Sequence, residues 1–405
     1  MYLRALSLTN FRNYASQTVE AGPGVVLLLG ENAQGKTNIL EAISLLATGR
    51  ADRADGDADY IAWSARDDTQ PFARVLGTAV RGDSEVTVEL TVVGREGAHR
   101  RPTKSPDLSE RGSGPDGGLV ASKRFKVNGV AKRGTDAAGQ ITAVMFTTDD
   151  MDLVRGSPGM RRRYLDVMLT QADHRYGRTL SRYNKVITQR NALLKRIQEG
   201  DAKRDELDYW DEEMAREATG IAQARAAAVA ELAVHAAAGH ARLSGEREQF
   251  EVAYAPRFAE GWTAERIAQA PADEAEAALA EKLRANRSRD IAVGVTLSGP
   301  HRDDLAMTLD GEPAASFASR GQQRTAALSL RLAEARLLYA HSGEKPVLLL
   351  DDVLSELDAS RRASVLAAFD VDQAWITSPD PDRFDAPFRT TATVYEIKSG
   401  VATRI

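Results

Sequence analysis

A glycine-rich octapeptide near the N-terminus has the residue types and the spacing of a phosphate-binding loop. The pattern G-x-x-x-x-G-K-[ST] is complete, and its residues are Gly30, Glu31, Asn32, Ala33, Gln34, Gly35, Lys36 and Thr37. The two glycines allow the backbone to curl, so that successive N–H groups point inward and bind an anion. In this pattern the lysine reaches the outer phosphates and the last hydroxyl binds Mg²⁺. The octapeptide, continued by Asn38, therefore predicts a nucleoside triphosphate site with Lys36 as a catalytic residue and Thr37 as a metal ligand.

A second group of candidate residues is a pair of carboxylates, Asp351 and Asp352, which follows the apolar run Val347–Leu350. A continuous apolar run is typical of a strand that is buried on both faces. Carboxylates at the carboxyl end of such a strand lie in the crevice where α/β sheets bind ligands. Asp351 is therefore predicted to hold Mg²⁺, and Asp352 to orient the attacking water as a general base. The alternative is a strand that simply ends in a polar turn.

The third group is Ser319-Arg320-Gly321-Gln322-Gln323-Arg324, which precedes a helical pattern over Thr325–Tyr339. A serine followed three residues later by a glutamine has the spacing of a capping box, so the segment predicts the start of a helix. The segment is either only a helix cap or a second helix N-terminus that holds an anion. Beyond the two aspartates, Ser355–Asp358 could begin a further loop and helix.

The elements that must position these residues can be predicted from the sequence around them. Val25–Leu29 has the pattern of a strand before the octapeptide, and residues 38–46 have the pattern of a helix after it. Alternating polar and apolar residues over Glu85–Val92 predict a strand. Residues 100–120 are rich in glycine, proline, serine and charge, which predicts a disordered loop. Asn128-Gly129 predicts a hairpin turn. An apolar stripe at three- to four-residue spacing predicts helices from Arg161 to Arg289, with strands following at Ile291–Leu297 and Leu305–Leu309.

This order of elements predicts an α/β fold in which a helical segment interrupts a nucleotide-binding head. We expect residues 1–154 to form the N-terminal part of the head, residues 155–290 a mostly helical arm, and residues 291–405 the C-terminal part. The last part would carry both Ser319 and Asp351.

Composition limits the classes of protein that the chain can belong to. Its 405 residues include no cysteine, which excludes disulfides, cysteine-based zinc sites and thiol nucleophiles. No apolar run reaches the length of about 20 residues that a membrane helix needs, and the N-terminus lacks the layout of a signal peptide. These features predict a soluble, cytoplasmic protein. The net charge of −5 implies that any surface for nucleic acid is local.

A local basic surface is predicted between residues 155 and 196, where arginine and lysine are frequent and acids are few. The candidates for DNA contact are Arg161, Arg162, Arg175, Arg178, Arg182, Lys185 and Arg190. Such clusters neutralise phosphates in a manner that depends on salt but little on base sequence. The alternative is a solvated helix face with ordinary ion pairs. Similarly, Arg12 is either a contact of the nucleotide or part of a surface ion pair.

Together these motifs resemble those of the ATP-binding-cassette ATPases, whose serine-glycine-glutamine signature closes over a nucleotide held by a partner head. More narrowly, nearly the whole chain resembles the RecF family of bacterial recombination mediators. The segments that carry this resemblance are Leu8–Tyr14, Gly30–Ile43, Gly156–Pro158, Arg161–Asp166, Tyr183–Lys185, Gln189–Lys195, Gly299–Asp304, Ser319–Arg324, Leu349–Asp352 and Leu357–Asp358.

The resemblance implies an ATP-binding-cassette head with mixed sheets, ATP and Mg²⁺ as cofactors, and a homodimer that forms when ATP is bound. Ser319, Gly321 and Gln322 would then act in trans on the nucleotide of the other chain. Weak, DNA-stimulated hydrolysis would serve as a switch that releases the dimer from DNA. The expected partners are gapped, single- and double-stranded DNA, together with RecR and RecO, which help to load RecA during DNA repair and the recovery of replication forks.

Several positions depart from the family's pattern. Thr148 stands where the family usually has proline, and Ala51–Ala54 replace the usual Ser-Phe-Arg-Thr. Ser378 occupies the place of the switch histidine of cassette ATPases, and Gln140 is a weak candidate for the Q-loop. The segment Gly299–Asp304 fits no zinc spacing, so a structural or interface role is expected. Two alternatives share the head: an SMC- or Rad50-type chromosome ATPase, which needs long coiled coils, and the ATPase subunit of a transporter.

Overall fold

The computed structural model describes residues 1–50, 56–96, 119–353, 371–380, 384 and 386–405. The chain divides into two compact units. The first contains Met1–Thr148 and Leu338–Ile405, and the second contains Asp149–Leu337. Each unit has its own cluster of buried apolar side chains. In the part of the chain that the structure describes, no helix is both long enough and apolar enough to cross a membrane.

One sheet of the first unit is antiparallel and has six strands in the order β2-β1-β4-β5-β6-β7. These strands are β1 (Tyr2–Phe11), β2 (Tyr14–Glu20), β4 (Phe72–Arg81), β5 (Ser84–Glu96), β6 (Leu119–Val127) and β7 (Val130–Lys132). The predicted hairpin turn is confirmed, since Val127 pairs with Val130 across Asn128 and Gly129. Both turn residues have positive φ, as a tight hairpin of this kind requires.

The other sheet of the first unit has the order β15-β14-β3-β13-β12-β8, and β14, β3, β13, β12 and β8 run parallel to one another. Its strands are β3 (Gly24–Leu29), β8 (Ala143–Phe146), β12 (Val347–Asp351), β13 (Gln373–Ser378), β14 (Thr393–Lys398) and β15 (Val401–Arg404). All residues of β12 are buried, as its apolar run predicted. Helix α1 (Lys36–Thr48) contacts strands of both sheets through buried side chains such as Ile39, Leu40 and Ile43. Among its described residues the unit also contains the short helices α2 (Gly134–Ala137) and α11 (Ala386–Thr391).

The second unit is mostly helical. Its helices are α3 (Met151–Arg155), α4 (Pro158–Ala172), α5 (His174–Glu199), α6 (Leu207–Ser244), α7 (Ala264–Gln269), α8 (Ala272–Val293), α9 (Ala314–Phe317) and α10 (Arg320–Ser342) up to Leu337. A small antiparallel sheet, in the order β11-β10-β9, consists of β9 (Phe250–Ala255), β10 (Asp304–Leu309) and β11 (Glu312–Pro313). Side chains of β9 and β10 share the apolar cluster of the helices.

The predicted α/β head with an inserted helical region is the observed architecture, but the compact units do not follow the predicted boundaries. Residues 291–337 were expected in the head and instead belong to the helical unit, because the strand pair β9–β10 and most of α10 bury their apolar side chains in the helical cluster. The predicted strand Ile291–Leu297 is wrong, since α8 continues to Val293 and ends at Gly294 in the left-handed conformation. The loop predicted at residues 100–120 lies outside the described residues except for Leu119 and Val120, which begin β6. Ser355–Asp358 and Ala51–Ala54 also lie outside them.

Candidate functional site

The glycine-rich octapeptide joins the carboxyl end of β3 to the N-terminus of α1, and neighbouring segments hold it from its outer side. The carbonyl of Gln34 accepts hydrogen bonds from Asn13 Nδ2 at 2.8 Å and from Gly400 N at 3.1 Å. The side chain of Gln34 accepts from Ser399 N at 2.7 Å, so this residue is used to anchor the loop. The hydroxyl of Tyr14 donates to the carbonyl of Gly35 at 2.9 Å. The loop is thus fixed in its curled conformation by contacts that leave its inner side facing the crevice.

The N-terminus of α1 has no side-chain cap. Its N-cap residue is Gly35, with φ at 116°, and a Cβ there would lie 2.6 Å from Asn13 Nδ2 and 2.8 Å from the Tyr14 hydroxyl. Only glycine therefore fits, for reasons of both backbone conformation and space. Ala33 also has a positive φ, at 63°, which is a strained conformation for a residue with a side chain. An uncapped helix start with free N–H groups is a binding site for anions.

Lys36 lies inside the curl of the loop. Its ammonium donates to the carbonyls of Gly30 at 2.5 Å and Glu31 at 2.7 Å. Burial lowers the pKa of Lys36, and the nearby carboxylates of Asp352 and Asp351 act in the opposite direction. The ammonium is therefore held in the crevice by carbonyl groups that a phosphate could replace as its partners.

The two aspartates lie opposite the loop, at the carboxyl end of β12. Thr37 donates to Asp351 Oδ1 at 2.8 Å, and Thr377 donates to the same oxygen at 3.0 Å. The Thr377 hydroxyl in turn accepts from the backbone N–H of Asp352 at 2.9 Å. Asp352 has a positive φ of 56°, which turns its side chain away from the direction that a regular strand would give it. The hydroxyl of Thr37 and the carboxylate of Asp351 form the hard oxygen set that Mg²⁺ prefers.

These residues line one crevice of about 500 Å³. Its lining consists of Arg12, Asn32, Ala33, Gly35, Lys36, Thr37, Asn38, Glu41, Thr148, Asp351, Asp352 and Thr377. The structure therefore brings together the predicted lysine, hydroxyl and carboxylates, which are more than 300 residues apart in the chain. Gly30 contributes its carbonyl to Lys36, and a Cβ at this glycine would lie 2.3 Å from the carbonyl oxygen of Ile397.

Arg12 is positioned by an ion pair beside this crevice. Its guanidinium donates to both carboxylate oxygens of Glu41, at 2.6 and 2.8 Å, and to the carbonyl of Asp59 at 3.1 Å. Burial works against its charge, but the hydrogen bond and the charge of Glu41 raise the pKa of Arg12. The ion pair expected as one alternative is therefore present, and it places Arg12 in the lining of the crevice, while contact with a nucleotide stays a prediction.

A second cavity, of about 560 Å³, shares Arg12 and Asn38 with the first. Its further lining consists of Asn13, Ala15, Asp59, Ile61, Ala62, Trp63, Ser64 and Arg66. Trp63 is 79% exposed, and the guanidinium of Arg66 stacks on its ring at 3.9 Å. An exposed tryptophan beside Arg and Ile side chains is a surface for a flat aromatic group. We did not predict this cavity from the sequence; the cluster of Tyr60, Trp63 and Arg66 was the available signal.

In the second unit, the predicted capping box at the start of α10 is present. Ser319 N donates to Gln322 Oε1 at 2.8 Å, and Gln322 N donates to Ser319 Oγ at 3.3 Å. Ser319, Arg320 and Gly321 are exposed. The side-chain amide of Gln322 also donates to Glu248 Oε1 at 3.0 Å, which is a contact that the sequence did not indicate.

Two of the predicted DNA contacts must be corrected. Arg190 has no exposed surface, and it forms ion pairs with Asp211 at 2.8 Å and Asp290 at 2.9 Å. Arg161 is buried and donates to both carboxylate oxygens of Asp304, at 2.7 and 3.0 Å. Neither guanidinium can reach the phosphates of DNA in this structure. The burial of Arg190 could have been predicted from its position in the sequence. It lies three residues after Ile187 and four before Leu194, on the same face of the helix as the apolar stripe.

The remaining basic candidates have different surroundings. Arg162 is half-buried and donates to the carbonyl of Asp303 at 2.7 Å. Arg175, Arg182 and Lys185 are exposed on α5, and Arg178 is partly exposed. These four residues are spaced by three, four and three positions, so they form one row on the helix surface. Arg182 also pairs with Glu217 at 2.7 Å.

The segment Gly299–Asp304 is a structural junction of the helical unit. His301 Nδ1 lies 2.6 Å from the Tyr183 hydroxyl, and burial lowers the pKa of His301 to about 4. Asp303 accepts from Tyr254 and from the backbone of Arg257. These contacts support the structural role expected from the sequence.

Two other positions noted in the sequence, Ser378 and Gln140, do not line the crevice at the phosphate loop. Ser378 is buried and donates to the carbonyl of Asp380 at 3.0 Å. Gln140 does not line either cavity described above.

The fold and site have known relatives. A family model, the RecF/RecN/SMC N terminal domain, matches residues 2–378. The DNA replication and repair protein RecF of Roseiflexus castenholzii is 40% identical over 408 residues and that of Herpetosiphon aurantiacus is 39% identical over 412, with 99% of each chain covered. The solved structure of the recombination mediator protein RecF-ATPrS in the RecFOR pathway superposes with a TM-score of 0.83 at 29% identity, covering 100% of this chain and 98% of the other.

The class of protein is therefore defined by the phosphate loop, the carboxylates beside it and the match to a family model over most of the chain: a nucleotide-binding head of the RecF/RecN/SMC class. Within that class, the chain belongs to the RecF family, because relatives of that name match it over almost their whole length. The resemblance expected from the motifs is thus confirmed. Relatives named RecF that are 39–40% identical over almost the whole chain favour this family over the alternatives weighed from the sequence.

Proposed function

We propose that the chain is an ATP-dependent, DNA-binding recombination mediator, in which ATP joins two copies on DNA and slow hydrolysis releases them. The observation that carries this proposal is the single crevice that contains Lys36, Thr37, Asp351 and Asp352. A related protein has been solved with ATP in the RecFOR pathway, with a TM-score of 0.82 at 29% identity, which supports ATP as the nucleotide. RecR and RecO are proposed as partners because that structure belongs to the RecFOR pathway. RecA is proposed only from the resemblance of the motifs to the family.

In the proposed site, the loop residues Gly30 to Asn38 surround the phosphates. Lys36 exchanges the carbonyls of Gly30 and Glu31 for phosphate oxygens. Thr37 and Asp351 would hold Mg²⁺, which supplies charge neutralisation at the phosphates when it is bound. Asp352 orients the attacking water, and its own N–H is fixed by Thr377, so its position is set by β13 as well as by β12.

The second cavity is the proposed site for the rest of the nucleotide. The two cavities lie next to each other, because Arg12 and Asn38 line both of them. We propose that the base and ribose lie between Arg12 and the Trp63–Arg66 stack. Ile61 and Ala62 supply the apolar surface that such a group buries.

The signature at the start of α10 is proposed to complete the site of a second copy. Ser319 and Gly321 are exposed, and the helix they begin is long enough to present a positive N-terminus. In a dimer with twofold symmetry, each chain gives its signature to the nucleotide of the other, so two equal sites form together. Dimerisation would then depend on ATP, and turnover would end it.

The dimer is tested by light scattering with and without ATP and Mg²⁺. Lys36→Ala is expected to abolish ATP-dependent dimerisation, because the phosphates lose their buried ammonium. Lys132→Ala, which removes an exposed lysine of β7 in the same unit, serves as the matched control and should dimerise normally. A Lys36→Ala chain that still dimerised with ATP would rule out the shared nucleotide.

DNA is proposed to lie along the row Arg175, Arg178, Arg182 and Lys185 on α5. Reversing the first three to glutamate should weaken binding to gapped, single- and double-stranded DNA. The plot of log affinity against log salt concentration should also become less steep. For duplex DNA each phosphate contact contributes about 0.9 to the magnitude of this slope, so the loss of three contacts should reduce it by about two to three. The control is the triple change Arg216→Glu, Arg266→Glu and Arg284→Glu, which reverses the same charge at exposed arginines elsewhere on the helical unit. Equal effects of the two triple changes would reject this row as the DNA site.

We further propose that the ATPase activity is weak and rises when DNA is bound, so that hydrolysis acts as a switch. The ATPase rate measured with and without gapped DNA tests this directly. A fast rate that DNA leaves unchanged would contradict the switch.

A further inference from the structure

The signature glutamine is held by a chain of contacts that reaches into the core of the helical unit. Gln322 Nε2 donates to Glu248 Oε1 at 3.0 Å, and the other oxygen of Glu248 lies 2.9 Å from His240 Nε2. His240 is completely buried, and its ring packs at 5.0 Å from that of Phe250. Its Nδ1 lies 3.5 Å from Ser329 Oγ, farther along α10. The carboxylate of Glu248 is thus fixed by a group that cannot move into solvent.

This contact determines what the capping box can bind. Gln322 Oε1 accepts a hydrogen bond from the backbone N–H of Ser319, and Ser319 Oγ accepts one from the backbone N–H of Gln322. These N–H groups are two of the backbone donors at this helix N-terminus, and the bonds of the box do not involve the N–H groups of Arg320 and Gly321. The box is therefore satisfied by the chain itself, and Glu248 holds Gln322 in the closed conformation. The carboxylate also places a negative charge beside the position of an incoming phosphate.

We propose that Glu248 and His240 are positioning residues that keep the signature closed, and so raise the ATP concentration at which a second copy is recruited. This inference rests on the proposed function, because it takes the ligand of the signature to be the triphosphate held by another chain. When that triphosphate arrives, its oxygens replace Gln322 Oε1 on the N–H of Ser319. Gln322 then leaves Glu248, and its amide turns to the nucleotide.

The geometry makes this role different from that of an ordinary surface ion pair. Glu248 contacts Gln322 although they are 74 positions apart, and its side chain is only 21% exposed. Glu251, on β9 three positions later, is exposed and contacts Gln249 and Thr308 instead. The two glutamates have the same charge and lie on the same stretch of chain, but only Glu248 reaches the signature among the contacts described.

Amide hydrogen exchange of the nucleotide-free chain tests the contact itself. Glu248→Ala should speed exchange at the N–H groups of Ser319 and Gln322, because the closed box loses the group that holds Gln322. Glu251→Ala is the matched control and should leave these two amides unchanged. Glu248→Gln keeps an oxygen that can accept a hydrogen bond from Gln322, so it should speed amide exchange less than Glu248→Ala. It is also the variant that disturbs folding least. Unchanged exchange in both Glu248 variants would overturn the proposal.

Light scattering across ATP concentrations tests the consequence. Loss of the carboxylate should lower the ATP concentration for half-maximal dimerisation by about three- to tenfold, as expected when a like charge near an anion is removed at a partly exposed site. The affinity of the monomer for a fluorescent ATP analogue should not change. A general loss of structure would instead weaken this binding as well. A higher half-maximal concentration in Glu248→Gln would overturn the proposal. If the unaltered chain never dimerised with ATP, the proposed function would fail, while amide exchange would still decide the role of Glu248.

Discussion

Two helices of this chain begin at candidate anion sites, and the structure leaves the first open, without a side-chain cap, while side chains of the chain itself cap the second. Helix α1 begins at Gly35, which has no side chain to cap it. Helix α10 begins at a serine whose hydroxyl and N–H are both paired with Gln322. The first terminus is ready for an anion, whereas the second must exchange internal hydrogen bonds for one. In the proposed dimer, this difference would make the chain bind its own nucleotide first and offer its signature to another chain only conditionally.

Replacing the glycine at the start of each helix, Gly35 at α1 and Gly321 at α10, should give the largest differences between the two helix N-termini. At Gly35, an alanine would have to adopt a φ of 116° and would place its Cβ within 3 Å of Asn13 and Tyr14. We expect Gly35→Ala to weaken ATP binding by about a thousandfold, since strain and overlap together cost roughly 4 kcal/mol. Titration with a fluorescent ATP analogue measures this loss.

Gly321→Ala is the counterpart at the second terminus. A Cβ there meets no atom within 4 Å, so the monomer should fold and bind ATP normally. Only dimerisation should weaken, because the new methyl group faces the arriving nucleotide. If Gly321→Ala impaired ATP binding by the monomer, the two termini would not have separate roles.

Asp352→Asn separates formation of the dimer from its release. The amide keeps the shape of the side chain but cannot accept a proton, so turnover should fall by about a hundredfold, the low end of the range for loss of a general base. Binding of ATP at α1 and contact of the signature with the nucleotide of the other chain should persist, so the dimer should remain after the wild-type dimer has dissociated. The time course of light scattering after a pulse of ATP measures this. Dissociation at the wild-type rate would remove Asp352 from the release step.

The comparison also shows which parts of the site a sequence can predict. The loop at Gly30–Thr37 was predicted because its chemistry is carried by the backbone, and the backbone conformation depends on local residue types. The capping box was predicted because its two side chains are only three positions apart in the sequence. Glu248 was not, because its contact with Gln322 joins segments that only the folded helical unit brings together.

The arginines of α5 show how position along a helix decides the role of a charge. Arg182 and Arg190 are on the same helix, yet one is exposed and the other has no contact with solvent. The apolar stripe predicted the buried face correctly, but charge alone suggested that all arginines face outward. Arg190 is instead neutralised by Asp211 and Asp290, and Asp290 lies 100 positions away on α8. Such a partner cannot be assigned from spacing within one helix.

The smallest expected effect concerns the cavity next to the open terminus. If the base of the nucleotide stacks near Trp63, then Trp63→Ala should weaken ATP binding by the monomer by about three- to tenfold, the range expected for loss of one partly exposed aromatic contact. Binding of inorganic triphosphate, which has no base, should be unchanged, so the ratio of the two affinities isolates the stacking contact. Trp210→Ala, in the helical unit, is a control for the loss of a tryptophan. If Trp63→Ala weakened ATP and triphosphate equally, the cavity would support the loop rather than hold the base, and the open terminus alone would account for recognition of the nucleotide.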